Sequence, residues 1–388
     1  MDDSQLEQPF MTAAAAEENV TSSSGSAAVS AVAADESKPY PWIIHPAVDI
    51  LFCCGVFPII LWGLMLAGIN QDPYKNPMTF SMWALGIIAV HLFQDAHGVA
   101  SWHRILTHKE TMSAIKPYFI TITVIAVSAF VPLLLNPSLL LICFRLYFLL
   151  GAYHWLMQSY GVSLIYLFKR GYMMNPVERR LLLLVFQSIC AFVIVRILTI
   201  PAFGSFDVQK FFVSFPVLLP DWAPAVAQVG LALVVVAFLV MVGRRYLKTK
   251  VMIPVPVLVL LATTLWVYAL PAPTFWALGF FIGAFYHGSQ SWCVTTSVHC
   301  KIEGLPPGVT SHSIWKIFLK KSTWLYLFLL FVISELIFTV APRVLVNFGP
   351  SLGVAFATVV VIFSTHHFLC DSAIWKLKDP KVRALLVK

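Results

Sequence analysis

The sequence predicts an all-α protein, a polytopic transmembrane helix bundle of about ten spans with both termini in the cytoplasm. Three observations lead there. Hydrophobic residues make up 59% of the 388-residue chain, charged residues only 11%, and the mean hydropathy is +0.82; a soluble protein carries about 25% charged residues. The apolar residues gather into runs near the roughly 20 residues that a helix needs to cross a bilayer. The basic residues, finally, fall mainly in every second loop.

Taken in order, the first segment is different in kind from the rest. Residues 1–40 are rich in Ala, Ser and Glu, with acidic Asp2, Asp3, Glu7, Glu17, Glu18, Asp35 and Glu36. They lack a basic stretch followed by an apolar core, so the expectation is a disordered tail and not a signal peptide. The bundle is expected over 41–378, with a basic tail at 379–388. Its candidate spans are 47–70, 79–100, 117–135, 138–168, 181–200, 225–242, 251–270, 273–295, 323–341 and 351–375. Segment 311–321 reads as a short amphipathic helix on the membrane surface.

Orientation follows from counting lysines and arginines. Arg104, Lys109 and Lys116 follow span two; Lys169, Arg170, Arg179 and Arg180 follow span four. Arg244, Arg245, Lys248 and Lys250 follow span six; Lys301, Lys316, Lys320 and Lys321 follow span eight. With Lys38 and the C-terminal Lys376, Lys378, Lys381, Arg383 and Lys388 these are twenty-one, against three (Lys75, Lys210 and Arg343) after odd-numbered spans. Such asymmetry puts both termini on the cytoplasmic side of a multi-pass membrane protein, expected in the bacterial inner membrane. The net charge of +8 is accounted for this way, and no nucleic-acid partner is indicated. Seven cysteines without CxxC spacing read as buried thiols.

The chemistry lies in the histidines, eleven in all, most of them near the ends of even-numbered spans. An ionisable side chain in a bilayer costs a few kcal/mol, so clusters at a similar depth on four helices point to a shared metal site. Span two carries His91, His97 and His103. At about 100° per residue they point roughly 120° apart, so either only one or two are ligands or the helix bends near Gly98. Asp95 shares a face with His91. His108, beyond the span, reads as a loop residue. Span four offers His154 with Gln158 one turn on. Span eight offers His287 and Gln290, with Gly288 allowing a close helix approach; His299 is a weaker candidate near the water boundary. Span ten ends in His366, His367 and Asp371, the last two one turn apart. The metal ligands expected are thus drawn from His91, His97, His103, His154, His287, His366, His367 and Asp371, with Asp95, Gln158 and Gln290 as catalytic groups. Arg145, Arg196 and Glu335 are not aligned with these clusters. Imidazole and carboxylate ligands suit one or two iron ions, with zinc as the alternative.

Two families of histidine-rich membrane enzymes bear comparison. The fatty-acid desaturases and hydroxylases carry HxxxH and HxxHH boxes, which this chain lacks. The layout resembles more closely the Brp/Blh-type β-carotene dioxygenases. His97-Gly98, lone His154, His287-Gly288-Ser289 and His367 with Asp371 follow the order of that family's four patches, without the Pro before and the Asp after its first. The resemblance implies an all-helical membrane enzyme holding one iron with single histidines from several helices.

The function expected is a membrane-embedded non-haem iron oxygenase, desaturase or hydroxylase, acting on a lipid or isoprenoid and served where needed by a cytoplasmic electron donor. Oxidising unactivated carbon needs a metal or cofactor, because no side chain can do it. The alternatives are a zinc-dependent hydrolase, a haem protein with two axial histidines such as His154 and His287, and a proton-coupled transporter.

Overall fold

The computed structural model describes residues 41–68, 85, 88–199, 202–206, 211–214, 217–269, 276–304, 316 and 318–387. The expected N-terminal tail, the first half of the second span and most of the amphipathic segment 311–321 lie outside them. The described chain is almost wholly helical, as expected. Its helices are α1 (Val56–Gly68), α2 (Ala96–Thr107), α3 (Lys109–Leu135), α4 (Pro137–Lys169), α5 (Pro176–Thr199), α6 (Ala223–Thr249), α7 (Val255–Ala269), α8 (Trp276–Ile302), α9 (Lys321–Glu335), α10 (Leu352–Ile374) and α11 (Pro380–Val387). One short antiparallel hairpin, β1 (Ala202–Phe206) with β2 (Phe211–Ser214), joins α5 to α6.

Among the described residues, six stretches are long and apolar enough to cross a membrane: α3, α4, α5, α6, α10, and α9 with its continuation to Phe348. Among the other expected spans, α7 is apolar but has only 15 residues. The 27-residue α8 is long enough. Its buried polar run, from His287 through Ser289, Gln290 and Ser291 to Thr295 and Thr296, keeps its hydropathy low. That polarity faces the protein and not lipid.

Local signals start and stop these helices. Asn136 caps α4, its side chain accepting from the Leu139 amide at 3.0 Å with Pro137 in the first turn. Ser351 caps α10 in the same way through the Val354 amide. Helices α3 and α6 bury little of themselves and turn side chains such as Val127 and Leu233 outward. Helices need no outside partner for their backbone polar groups, so an apolar outer face of this kind suits contact with lipid.

The largest core lies between α4, α5, α6, α7 and α8, around Leu156, Tyr166, Phe186, Phe238 and Val257. A second joins α4 to α10 through Phe144, Phe148, Ala357 and Phe368. Asp49 lies fully buried where the chain enters the bundle. Its carboxylate accepts the amides of Ile43, Ile44 and His45 and the hydroxyl of Tyr166 at 2.8 Å, so the charge is fully hydrogen-bonded and structural. At the other end, α11 occupies the segment expected as a basic tail. Lys169 and Lys301 donate to its carbonyls at Val387 and Leu385.

Among the described residues, three π-helical turns interrupt the helices, at Asp49–Cys53, Val90–Asp95 and Leu336–Val340. The first two pack against α8. Their effect on the site is direct, because the second delivers the chain into α2.

Candidate metal centre

Four helices meet at one point, and each supplies one imidazole. His97 comes from α2, His154 from α4, His287 from α8 and His367 from α10. One ring nitrogen from each lies within 4.8 Å of the others. His97, His287 and His367 are 3%, 0% and 2% exposed, and His154 is nearly as covered. The rings meet edge to face, His97 to His287 at 4.5 Å between centroids, His97 to His367 at 4.3 Å and His154 to His287 at 4.8 Å.

The approach of α8 to the turn before α2 makes this meeting possible. A Cβ on Gly288 would stand 2.6 Å from backbone atoms of Phe93 and Gln94, so only glycine fits beside His287. Two side chains then lock α4 to α8. Gln158 Nε2 donates to the His287 carbonyl at 2.8 Å and to Gln290 Oε1 at 3.3 Å, and Ser159 Oγ donates to the same Oε1 at 3.1 Å. Gln158 and Gln290, expected as catalytic groups, therefore engage one another and the backbone, and position His287.

The nitrogens themselves are arranged as ligands. His97 Nδ1–H donates to the Gln94 carbonyl, which leaves Nε2 with a free lone pair turned toward the other rings. A backbone acceptor on one ring nitrogen is the usual way to orient a metal-binding histidine. His97 Nε2 and His287 Nε2 are 2.9 Å apart, close to the ~3.0 Å between neighbouring ligands at right angles and roughly 2.1 Å from one ion. His154 Nε2, both nitrogens of His367 and Nδ1 of His287 are buried without a hydrogen-bond partner. Each such orphan costs about 1–3 kcal/mol; a shared cation, taking one nitrogen from each ring, would account for His154 Nε2 and for one of the two on His367.

Asp371 completes the surroundings. Its Oδ1 accepts from Ser101 Oγ and from Trp375 Nε1 at 3.2 Å. Its Oδ2 faces the cluster, 3.6 Å from His367 Nε2 and 3.9 Å from His154 Nε2. Phe368 stacks on His154 at 4.4 Å and Trp155 on His287 at 5.7 Å, so apolar rings wall the centre.

Three expected ligands lie elsewhere. His366 Nδ1 accepts from Trp102 Nε1 at 3.0 Å and its Nε2 lies 2.9 Å from Thr123 Oγ1, itself a donor to the Phe119 carbonyl. Both ring nitrogens are thus used, and none is left for a metal. His103 sits with His299 and Tyr326. His91 Nδ1 lies 3.0 Å from Asp95 Oδ2 and 3.1 Å from Glu335 Oε1. These three form a second group able to hold a cation, which corrects the reading of Glu335 as unaligned and sets Asp95 apart from the four-histidine centre. Helical spacing already showed that His91, His97 and His103 diverge; the π-helical turn at Val90–Asp95 separates His91 from His97 further. Trp375 and the Gln94 carbonyl carry no signal in the sequence, whereas Ser101 stands one turn from His97 on the same helix face. A lone glutamate in an apolar span does carry one, and Glu335 deserved more weight.

No family model matches the chain, and no curated protein or solved structure matches it, so the four-histidine centre rests on its own geometry.

Proposed function

We propose that this protein is a membrane-embedded, metal-dependent oxygenase, desaturase or hydroxylase acting on a lipid or isoprenoid, with one non-haem iron held by His97, His154, His287 and His367. One observation carries the reading: four imidazoles from four helices, three of them buried and His154 partly so, bring one ring nitrogen each within 4.8 Å of one another in an apolar enclosure. Neutral imidazoles suit iron and zinc. Bound there, iron would supply the oxygen chemistry of unactivated carbon that side chains cannot perform.

The protein's own residues have definable tasks. The Gln94 carbonyl and the Gln158–Gln290 pair hold the rings in orientation. Phe368 and Trp155 exclude water and favour an apolar chain beside the centre. Asp371 Oδ2, turned toward His154 and His367, can ligate or hold a proton at the edge of the site. The patch order still resembles the Brp/Blh-type dioxygenases, which supports the same reaction class. The basic-residue asymmetry supports about ten spans in the bacterial inner membrane, both termini cytoplasmic and the centre toward that side, within reach of a soluble electron donor. A double-bond-cleaving dioxygenase would need no donor.

Zinc hydrolysis is the second reading, favoured by a carboxylate beside the imidazoles that could serve as base. Haem at this point is disfavoured, because imidazoles 4.8 Å apart between centroids leave no slot for a macrocycle.

Metal analysis of the detergent-purified protein tests the proposal. One iron per chain is expected. His154→Ala and His367→Ala should each lose most of it, while His108→Ala and His366→Ala keep it. Zinc without iron would establish the second reading, and equal metal retention in all four variants would remove the centre altogether.

A further inference from the structure

Beyond the four histidines, α2, α8, α9 and the residue that ends α10 line a second space. It is a small pocket with room for about one water molecule, open on one side, whose wall includes His103 and Arg104 of α2, His108, His299 of α8, Tyr326 of α9 and Trp375. Along α2 it lies seven residues past His97, about 10 Å at 1.5 Å per residue. Apart from Trp375, which also donates to Asp371, none of these groups takes part in the metal reading.

Arg104 is the informative residue. It is 7% exposed, yet its Nε and Nη1 are buried without a hydrogen-bond partner. Its guanidinium lies over the Trp375 ring, 4.1 Å from the centroid, so its flat face is packed while those two nitrogens stay uncommitted. His299 repeats the pattern. Its ring stacks on Tyr326 at 3.8 Å with planes 7° apart, and its Nδ1 is buried without a partner. His103 stands 5.5 Å from His299 between ring centroids, and His108 closes the wall. A buried arginine with unpaired donors is costly, and planar carboxylates and phosphates are the groups whose geometry satisfies a guanidinium.

We infer that this pocket is an anion site that takes an oxygen of one carboxylate or phosphate group at its open mouth, bound by Arg104 with His299 and His103 as further donors. The anion could be the acidic end of a lipid-like molecule or a free small ion; the chemistry of recognition is common to both. Trp375 links the site to the centre, since the ring that supports Arg104 also donates to Asp371. The inference stands whether or not an iron is held next door.

The test is calorimetric titration of the full-length protein in an uncharged maltoside detergent, with inorganic phosphate, acetate and dodecyl phosphate as probes. Metal content and melting temperature are recorded for every variant. Saturable binding is expected for phosphate or acetate, weakened tenfold or more in Arg104→Gln, less in Arg104→Lys and several-fold in His299→Gln, with metal content unchanged. Dodecyl phosphate binding at least tenfold tighter than inorganic phosphate, with the same dependence on Arg104, would identify a lipid headgroup; equal affinities would identify a free anion. If Arg104→Gln does not fold, Arg104→Lys and His299→Gln carry the same test. The site is overturned if the unmodified protein binds none of the three probes at millimolar concentration. Folded variants that bind as tightly as the unmodified protein overturn it equally.

Discussion

Among single residues, Asp371 separates a ligand from a supporting group most clearly. Ser101 and Trp375 hold one of its oxygens, and the other points at His154 and His367. Asp371→Asn keeps the size and the possibility of accepting from Ser101 while removing the charge. A group that orients or polarises ligands typically contributes 10–100-fold to metal affinity. Chelator competition on Asp371→Asn should therefore show a loss in that range, with full occupancy restored at saturating metal. Failure to restore it would make Asp371 a ligand in its own right. Much of this was legible beforehand: His97, His154, His287, His367 and Asp371 all stood among the expected ligands. Spacing turns His366 about 100° from the face shared by His367 and Asp371, but its exclusion depends on Trp102 and Thr123, which reach it from α2 and α3. Such cross-helix partners leave no trace in local sequence.

The helices show where apolar runs inform and where they mislead. Long lipid-facing elements such as α3 and α6 were plain from composition, since nearly every residue is apolar. The site helices were harder to delimit, because α8 turns its Ser, Thr, Gln and His residues inward and α2 is entered through a π-helical turn. Such turns recur at functional sites, but no residue pattern announced this one. Gly288, by contrast, was readable as a point of close approach, and the 2.6 Å limit at Phe93 and Gln94 gives it a measurable cost. Gly288→Ala places a methyl group against backbone that cannot rotate away. The helices should separate by a fraction of an ångström, carrying His287 away from His97. Iron content should then fall severalfold while far-ultraviolet circular dichroism keeps its helical signal. Unchanged iron in this variant would mean that α8 does not set the geometry of the centre.

At the scale of the whole molecule, the centre joins segments that are remote in sequence. Residues 97, 154, 287 and 367 are drawn from α2, α4, α8 and α10, so an ion bound by all four would cross-link the bundle. A ligand that binds only the folded state stabilises it by RT ln(1 + [L]/Kd), about 4 kcal/mol when the free ligand is at a thousand times Kd. The orphaned nitrogens of His154, His287 and His367 give the metal-free state a further reason to loosen. Stripping the metal with a chelator should thus lower the melting temperature in detergent by roughly 5 °C or more, and re-adding iron should reverse the shift. The double variant His154→Ala/His367→Ala should melt at one temperature with or without chelator, since it has no ion to lose. The contrast between the two proteins is decisive, because a chelator acting on detergent or on surface sites would shift both. A native protein that loses its iron and melts unchanged would show that the four helices are held by packing alone, leaving the metal free to serve chemistry without serving the fold.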